Sequence, residues 1–141
     1  MFQVVVVGAD DSFTARRAVE AATEIAHMSG GTLHIVSAFA PKAIVNVPRP
    51  AEFEFVSSFG EVEALLQTLS FIAKNRGVEV EVHPVKGAPA EALIKTADKL
   101  DADLVVVGNK GMKGARRVLG SVPNAVAHGV NCSVAIIDTT E

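Results

Sequence analysis

Cysteine is almost missing from this sequence: of 141 residues, only Cys132 is one. No internal disulfide can form, which fits a reducing compartment. Also missing is any apolar run approaching the ~20 residues that span a bilayer. The start, "MFQVVVVGADDS", has no cationic region before its apolar run and no export cleavage pattern after it. It reads as a first strand, and the expected setting is cytoplasmic, with no membrane partner. Positive charge is not in excess either. Thirteen Lys and Arg face 16 Asp and Glu, a formal net charge of −3, which leaves no general electrostatic footprint for nucleic acid.

What is present suits one globular domain over residues 1–141. Apolar residues make up 49% and charged residues 21%, enough to bury a substantial core without staples.

Residues 3–8, "QVVVVG", form a continuous β-branched run, the pattern of a strand buried on both faces. Ala15, Ala18, Val19, Ala22, Ile25 and Ala26 then recur at helical spacing, with Ser12 as the expected N-cap and Gly30-Gly31 as the stop. "TLHIVSAF" (32–39) reads as strand two. Val62, Leu65, Leu66, Leu69, Ile72 and Ala73 mark a second helix, ended by Gly77. "VEVEVHPV" (78–85) alternates at first, predicting a strand with one polar face at a sheet edge, where Pro84 is tolerated. A third helix opens with Pro89 in its first turn. "ADLVVVG" is strand four, a short helix follows around 121–128, and "SVAIID" (133–138) is strand five. Strands alternating with amphipathic helices imply right-handed crossovers and a parallel sheet covered on both faces.

One segment has no stable period. Residues 40–59, "APKAIVNVPRPAEFEFVSSF", hold three prolines and three of the seven phenylalanines. A connection of this length is usually functional. It reads as a loop whose Phe residues pack on the domain, as a lid over a ligand, or as a subunit contact.

The chemistry concentrates in "VVVGNKGMKGARRVLGSV" (105–122) after strand four, with Gly108, Gly111, Gly114 and Gly120 interleaved with Lys110, Lys113, Arg116 and Arg117. Glycines let backbone N–H groups approach an anion and allow the turns that aim them. Gly120-Ser121 stands where a helix begins, so free amides and the helix dipole favour phosphate. The four cations are candidates to neutralise it. The competing reading is a glycine-rich turn with solvated cations. Neither G-x-x-x-x-G-K-[ST] nor G-x-G-x-x-G after strand one is present.

"VVVGADDS", "GAPAEALIKTA", "ADLVVVGNKGMKG", "LGSVPNAV" and "CSVAIID", in this order, resemble the universal stress protein family over nearly the whole chain. The nucleotide-binding branch carries G-x2-G-x9-G-[ST], which Gly108, Gly111, Gly120 and Ser121 match. Eight residues separate Gly111 from Gly120 here, one fewer than in the family pattern, and Asp11 stands where the family usually has Gly. The resemblance implies a three-layer α/β fold, Rossmann-like and of the adenine nucleotide α-hydrolase type, with strand order 3-2-1-4-5. It also implies a homodimer through the last strand and a bound adenine nucleotide: ATP or AMP, with cyclic AMP as the alternative. Carried over, Asp10 faces the ribose or a Mg or Mn ion on the phosphates, and Ala38 offers backbone hydrogen bonds to adenine. Gly108, Gly111, Gly120, Ser121 and Val122 hold ribose and phosphates.

Other classes fare worse. A phospho-receiver needs an acceptor Asp after strand three and a Lys after strand five, and "HPVKGAP" and "IIDTTE" supply neither. For an enzyme, Asp10 is the carboxylate nearest the phosphates, with Asp11 its understudy, so at most slow ATP turnover is expected. His27, His34, His83 and His128 are scattered over different elements and are assigned ordinary surface or core roles. Cys132 reads as a small apolar residue before a buried strand, and the Met residues as core filler. A dimeric interaction module without nucleotide remains the alternative, against which the glycine loop argues.

Overall fold

The structure, a computed structural model, describes residues 1–10, 12, 14–40, 58–109 and 121–139. Its elements are β1 (Val4–Gly8), α1 (Ala15–Ser29), β2 (Thr32–Phe39), α2 (Phe59–Asn75), β3 (Val80–Lys86), α3 (Pro89–Leu100), β4 (Leu104–Gly108), α4 (Ser121–Gly129) and β5 (Ser133–Ile137). All strand pairs are parallel, and the sheet order is β3-β2-β1-β4-β5. The alternating strand β3 is indeed an edge.

Successive side chains of a strand point to opposite faces, so the strands feed two cores. Val5, Val7, Leu33, Ile35, Leu104 and Val106 pack with Ala18, Val19 and Ala22 of α1 and with Val62, Leu66 and Leu69 of α2. Val6, Val36, Val105 and Val107 pack on the other side with Ala92 and Leu93 of α3 and Val126 of α4. The result is three layers. Val5, Val6 and Val7 are fully buried, each stabilising the fold by about 1.5–3 kcal/mol relative to an exposed side chain. That two-sided burial is why the run carries no polar alternation.

Two details differ from expectation. The first helix begins at Ala15 with Thr14 as its N-cap, and no side chain caps it. Ser12 belongs instead to the preceding turn: its amide donates to Asp10 Oδ1 at 2.8 Å, and its carbonyl accepts from the Ala15 amide. A short carboxylate that captures the amide two residues on competes with helix start at that point. Met1 and Met28 do not fill the core but are exposed, and Met112 lies outside the described residues. Met28 is two residues beyond Ala26, which puts it on the far side of the helix from the apolar stripe.

The other punctuation works as read. Gly30 is left-handed (φ 66°) and closes α1, and a Cβ on Gly31 would overlap the Phe2 carbonyl oxygen where the chain turns back beside β1. Pro89 sits in the first turn of α3. Of the long connection, residues 41–57 lie outside the described residues. Phe59, at its end, packs edge-to-face on Phe39 with ring centroids 5.1 Å apart.

Candidate functional site

In the order β3-β2-β1-β4-β5 the chain runs outward from β1 in one direction and from β4 in the other. The carboxyl ends of β1 and β4 therefore flank the switch point where open α/β sheets bind ligands. Val5–Val7 pair with Leu104–Val106, so Gly8 and Gly108 leave the sheet side by side.

Beyond β1, the Ala9 amide donates to the Val36 carbonyl at 2.9 Å, which extends the pairing by one residue. Asp10 follows, exposed at the rim, with its Oδ1 accepting the Ser12 amide. Part of this carboxylate thus shapes the turn into α1. Ser12 Oγ lies 3.1 Å from Thr14 Oγ1.

The end of β4 is tied to the end of β5. The Asn109 amide donates to the Ile137 carbonyl at 2.9 Å, and Asn109 Oδ1 accepts both the amide (2.9 Å) and the hydroxyl (3.1 Å) of Thr139. Asn109 Nδ2 donates to Asp138 Oδ1 at 3.2 Å. Thr139 is 2% exposed, and a Cβ on Gly108 would stand 2.9 Å from its methyl carbon. Gly108 therefore has a packing reason to be glycine, one the motif does not disclose. Asn109 and Thr139 were missed by the sequence reading because their link spans 30 residues and exists only once β5 lies beside β4.

Ala38, near the end of β2, pairs with Val85, and both lie against the core beneath α3 and α4. Val122 packs on the same core. Ser121 is the first residue of α4. That helix returns from the carboxyl end of β4 to the amino end of β5, so its N-terminus opens on the same rim as Gly108. Gly111, Gly120, Lys110, Lys113, Arg116 and Arg117 lie outside the described residues, as does Asp11. Of the expected site, Asp10, Ala38, Gly108, Ser121 and Val122 thus belong to elements that converge at the carboxyl edge.

Two of the four histidines, read as scattered, are neighbours. His34 Nδ1 and His83 Nε2 are 2.9 Å apart, and Glu81 Oε2 is 3.3 Å from the same His34 nitrogen. The parallel register brings them together by pairing His34 with Glu81 and Val36 with His83. Burial holds both imidazoles below their ordinary value. The His83 ring further disfavours charge on His34, and Lys99 does so on His83, while Glu81 favours charge on both. The clue in the sequence is that Glu81 and His83 share one face of an alternating strand; the partner strand and its register supply the rest.

At Cys132, burial comes first and the Asp103 carboxylate second in pushing the thiol up. It packs against the core under α3 and α4, as a small apolar residue would.

Comparison with known proteins agrees with the geometry. The sequence profile of the universal stress protein family matches residues 1–138. A universal stress protein of Mycobacterium tuberculosis (strain ATCC 25618 / H37Rv) is 36% identical over 145 residues, which cover 99% of this chain and 98% of that protein. Among solved structures, a universal stress protein in complex with cAMP is similar at 38% identity and a TM-score of 0.79, over 99% of this chain and 98% of that one. UspA from Lactobacillus plantarum, 22% identical with a TM-score of 0.73 over 96% and 97% of the two chains, shares the fold.

Proposed function

Since the chain belongs to the universal stress protein family, we propose that it binds an adenine nucleotide at the carboxyl edge of its sheet and acts as a dimeric stress-response module. One observation carries this reading: a relative 38% identical along essentially the whole chain is a complex with cAMP. The switch point between β1 and β4, and a helix N-terminus opening on the same rim, are physically suited to such a ligand.

In this reading Asp10 takes the ribose or a phosphate-bound Mg or Mn ion, and the backbone of Ala38 takes the adenine edge. Gly108, Gly111, Gly120, Ser121 and Val122 hold ribose and phosphates. Lys110, Lys113, Arg116 and Arg117 neutralise phosphate charge. ATP and AMP are the ligands the motif suggests; the cAMP complex of the relative favours the cyclic nucleotide as the second reading. Turnover of ATP is slow at most, because Asp10 is the one carboxylate assigned near the phosphates and it already bonds the Ser12 amide. The module works in the cytoplasm.

The dimer forms through β5. That strand is an edge, its Val134, Ala135 and Ile137 are half-buried, and Ile136 is 37% exposed. A row of apolar side chains on a strand with no outer strand partner among the described residues suits pairing with a second copy across a two-fold axis.

The test is direct. Freshly purified protein is denatured and any released nucleotide identified by mass spectrometry, and calorimetry then compares ATP, AMP and cAMP with magnesium and with chelator. An adenine nucleotide released, or saturable heat with one of the three, supports the reading. No release and no heat with any of them would leave the nucleotide-free interaction module. A monomeric mass in sedimentation at micromolar concentration would refute the dimer.

A further inference from the structure

Near the middle of β2 and β3, three electron-rich atoms converge: His34 Nδ1, His83 Nε2 and Glu81 Oε2. His34 Nδ1 is 2.9 Å from the His83 nitrogen and 3.3 Å from the Glu81 oxygen, and all three donor atoms lie within 4.8 Å of one another. One proton between the two rings satisfies their contact but not the approach of Glu81. If His34 carries the proton on Nδ1, that single N–H is shared between two acceptors. If His83 carries it on Nε2 and donates to His34, the Glu81 oxygen faces the same nitrogen with no proton of its own to share. A cation with several empty coordination positions would accept all three lone pairs at once.

We propose that His34, His83 and Glu81 form a binding site for a divalent transition-metal ion of the zinc class. Tetrahedral zinc with bonds of about 2.0–2.1 Å sets its ligand atoms roughly 3.3–3.4 Å apart. The His34–Glu81 separation already has this length, and the two imidazoles need to part by only ~0.4 Å to reach it. Glu81 closes the third edge by rotation, since its side chain is 66% exposed while that of His34 is 6% exposed. Two imidazoles and one carboxylate leave the fourth position to water. Imidazole nitrogen selects zinc, copper, nickel or cobalt over magnesium and calcium, which prefer all-oxygen shells.

The scaffold is stiff enough to hold such a site ready. Seven consecutive residue pairs, from Leu33 with Val80 to Phe39 with Lys86, fix β2 against β3. Burial disfavours the charged form of both rings, which favours available lone pairs, although the nearby Lys99 ammonium works against a bound cation. The Glu81 carboxylate opposes that charge from the neighbouring strand position. The site stops short of the proposed nucleotide edge: along the strands His34 lies four residues before Ala38, about 13 Å, and His83, paired with Val36, two residues before it, about 7 Å.

The full chain, stripped with chelator and free of nucleotide, is titrated with Zn2+ by calorimetry and with Co2+ by visible absorption. Omitting nucleotide makes the outcome independent of what the carboxyl edge binds. The proposal expects a single saturable Zn2+ per chain, cobalt bands typical of four-coordinate geometry, and no heat with Mg2+. His83→Gln should weaken Zn2+ binding about tenfold or more, and Glu81→Gln should weaken it less. No saturable zinc heat, or equal zinc affinity in the wild type and in folded His83→Gln, would overturn it. Should His83→Gln fail to fold by circular dichroism, Glu81→Gln decides, because its exposed side chain is replaced at nearly constant shape. Unchanged zinc affinity in that variant would overturn the site, and reduced affinity would support it.

Discussion

At the amino end of the sheet, polar side chains are tied to neighbouring strands. The Asp103 carboxylate, just before β4, accepts the amides of both Gln3 (3.0 Å) and Val4 (2.9 Å), and its own amide returns to the Val4 carbonyl. His34, Glu81 and His83 meet further along, His34 beside Val6 in the middle of β1 and His83 level, through Val36, with Gly8. At the carboxyl end, by contrast, β1 and β4 exit through Gly8 and Gly108 into turns, and the described polar contacts there shape the backbone: Asp10 to Ser12, and Asn109 to Thr139. One end clamps strands to each other, and the other is cleared of bulk around a switch point. A parallel sheet imposes this division, because all its strands begin on one side and end on the other.

If the two ends are independent, changes at one should leave the other intact. The largest effect is expected from Gly120→Glu, which brings negative charge against the phosphates. Adenine nucleotide affinity should fall about a hundredfold or more, since like-charge juxtaposition costs several kcal/mol. Thermal unfolding and zinc binding should be unchanged. Retained affinity in calorimetry would remove Gly120 from the site.

Gly108→Ala tests whether that glycine serves packing or ligand. Its new methyl meets Thr139 Cγ2 at 2.9 Å, and overpacking of this kind costs about 1–3 kcal/mol. Thr139→Ser removes the methyl but keeps the hydroxyl that donates to Asn109, so the double variant should recover much of the loss in denaturant unfolding. No recovery would mean that the clash is not what requires glycine.

Asp103→Ala, at the opposite end, removes an acceptor from two amides. The expected destabilisation is about 1–2 kcal/mol, in the range for hydrogen bonds to a charged group that is partly solvated, with nucleotide affinity unaffected. A smaller change follows from Asp10→Ala: nucleotide affinity should drop about three- to tenfold with magnesium or manganese and less with chelator. Equal losses in both would rule out the metal role.

The smallest effect concerns acid. His34 and His83 both titrate below 6.5, the ordinary imidazole value, when folded. As pH falls through 6.5 the unfolded chain therefore takes up protons that the folded chain refuses, and stability declines until the folded values are reached. Metal-free protein should lose stability below that point in urea titrations, and His83→Gln should flatten the slope. An identical slope in the variant would mean that other groups carry it.

Much of the architecture was legible in the primary structure. The Val4–Gly8 run announced two-faced burial, "ADLVVVG" announced a fourth strand, and Val78 to Val82 announced an edge. The helical periods of α1 and α2 named most of the residues that now face the first core. These signals are local, each needing only the pitch of a helix or the pleat of a strand. The start of α1 was misjudged because Asp10 captures the Ser12 amide, a competition that composition does not rank. The Gly108–Thr139 contact, the Asn109 link and the histidine pair were not legible, although each of their residues was in view.

Residue order alone therefore determined the alternation of strands and helices, the two-sided core and the cluster of small and basic residues after β4, because hydrophobic period and glycine freedom act over a few neighbouring positions. Only the assembled sheet decided that His34 meets Glu81 and His83, that Asp103 clamps β1, and that Gly108 lies beneath Thr139. Those pairings join positions 30 to 100 residues apart in sequence. Strand order and register bring them into reach, and shifting β3 by one residue would turn Glu81 and His83 to the opposite face.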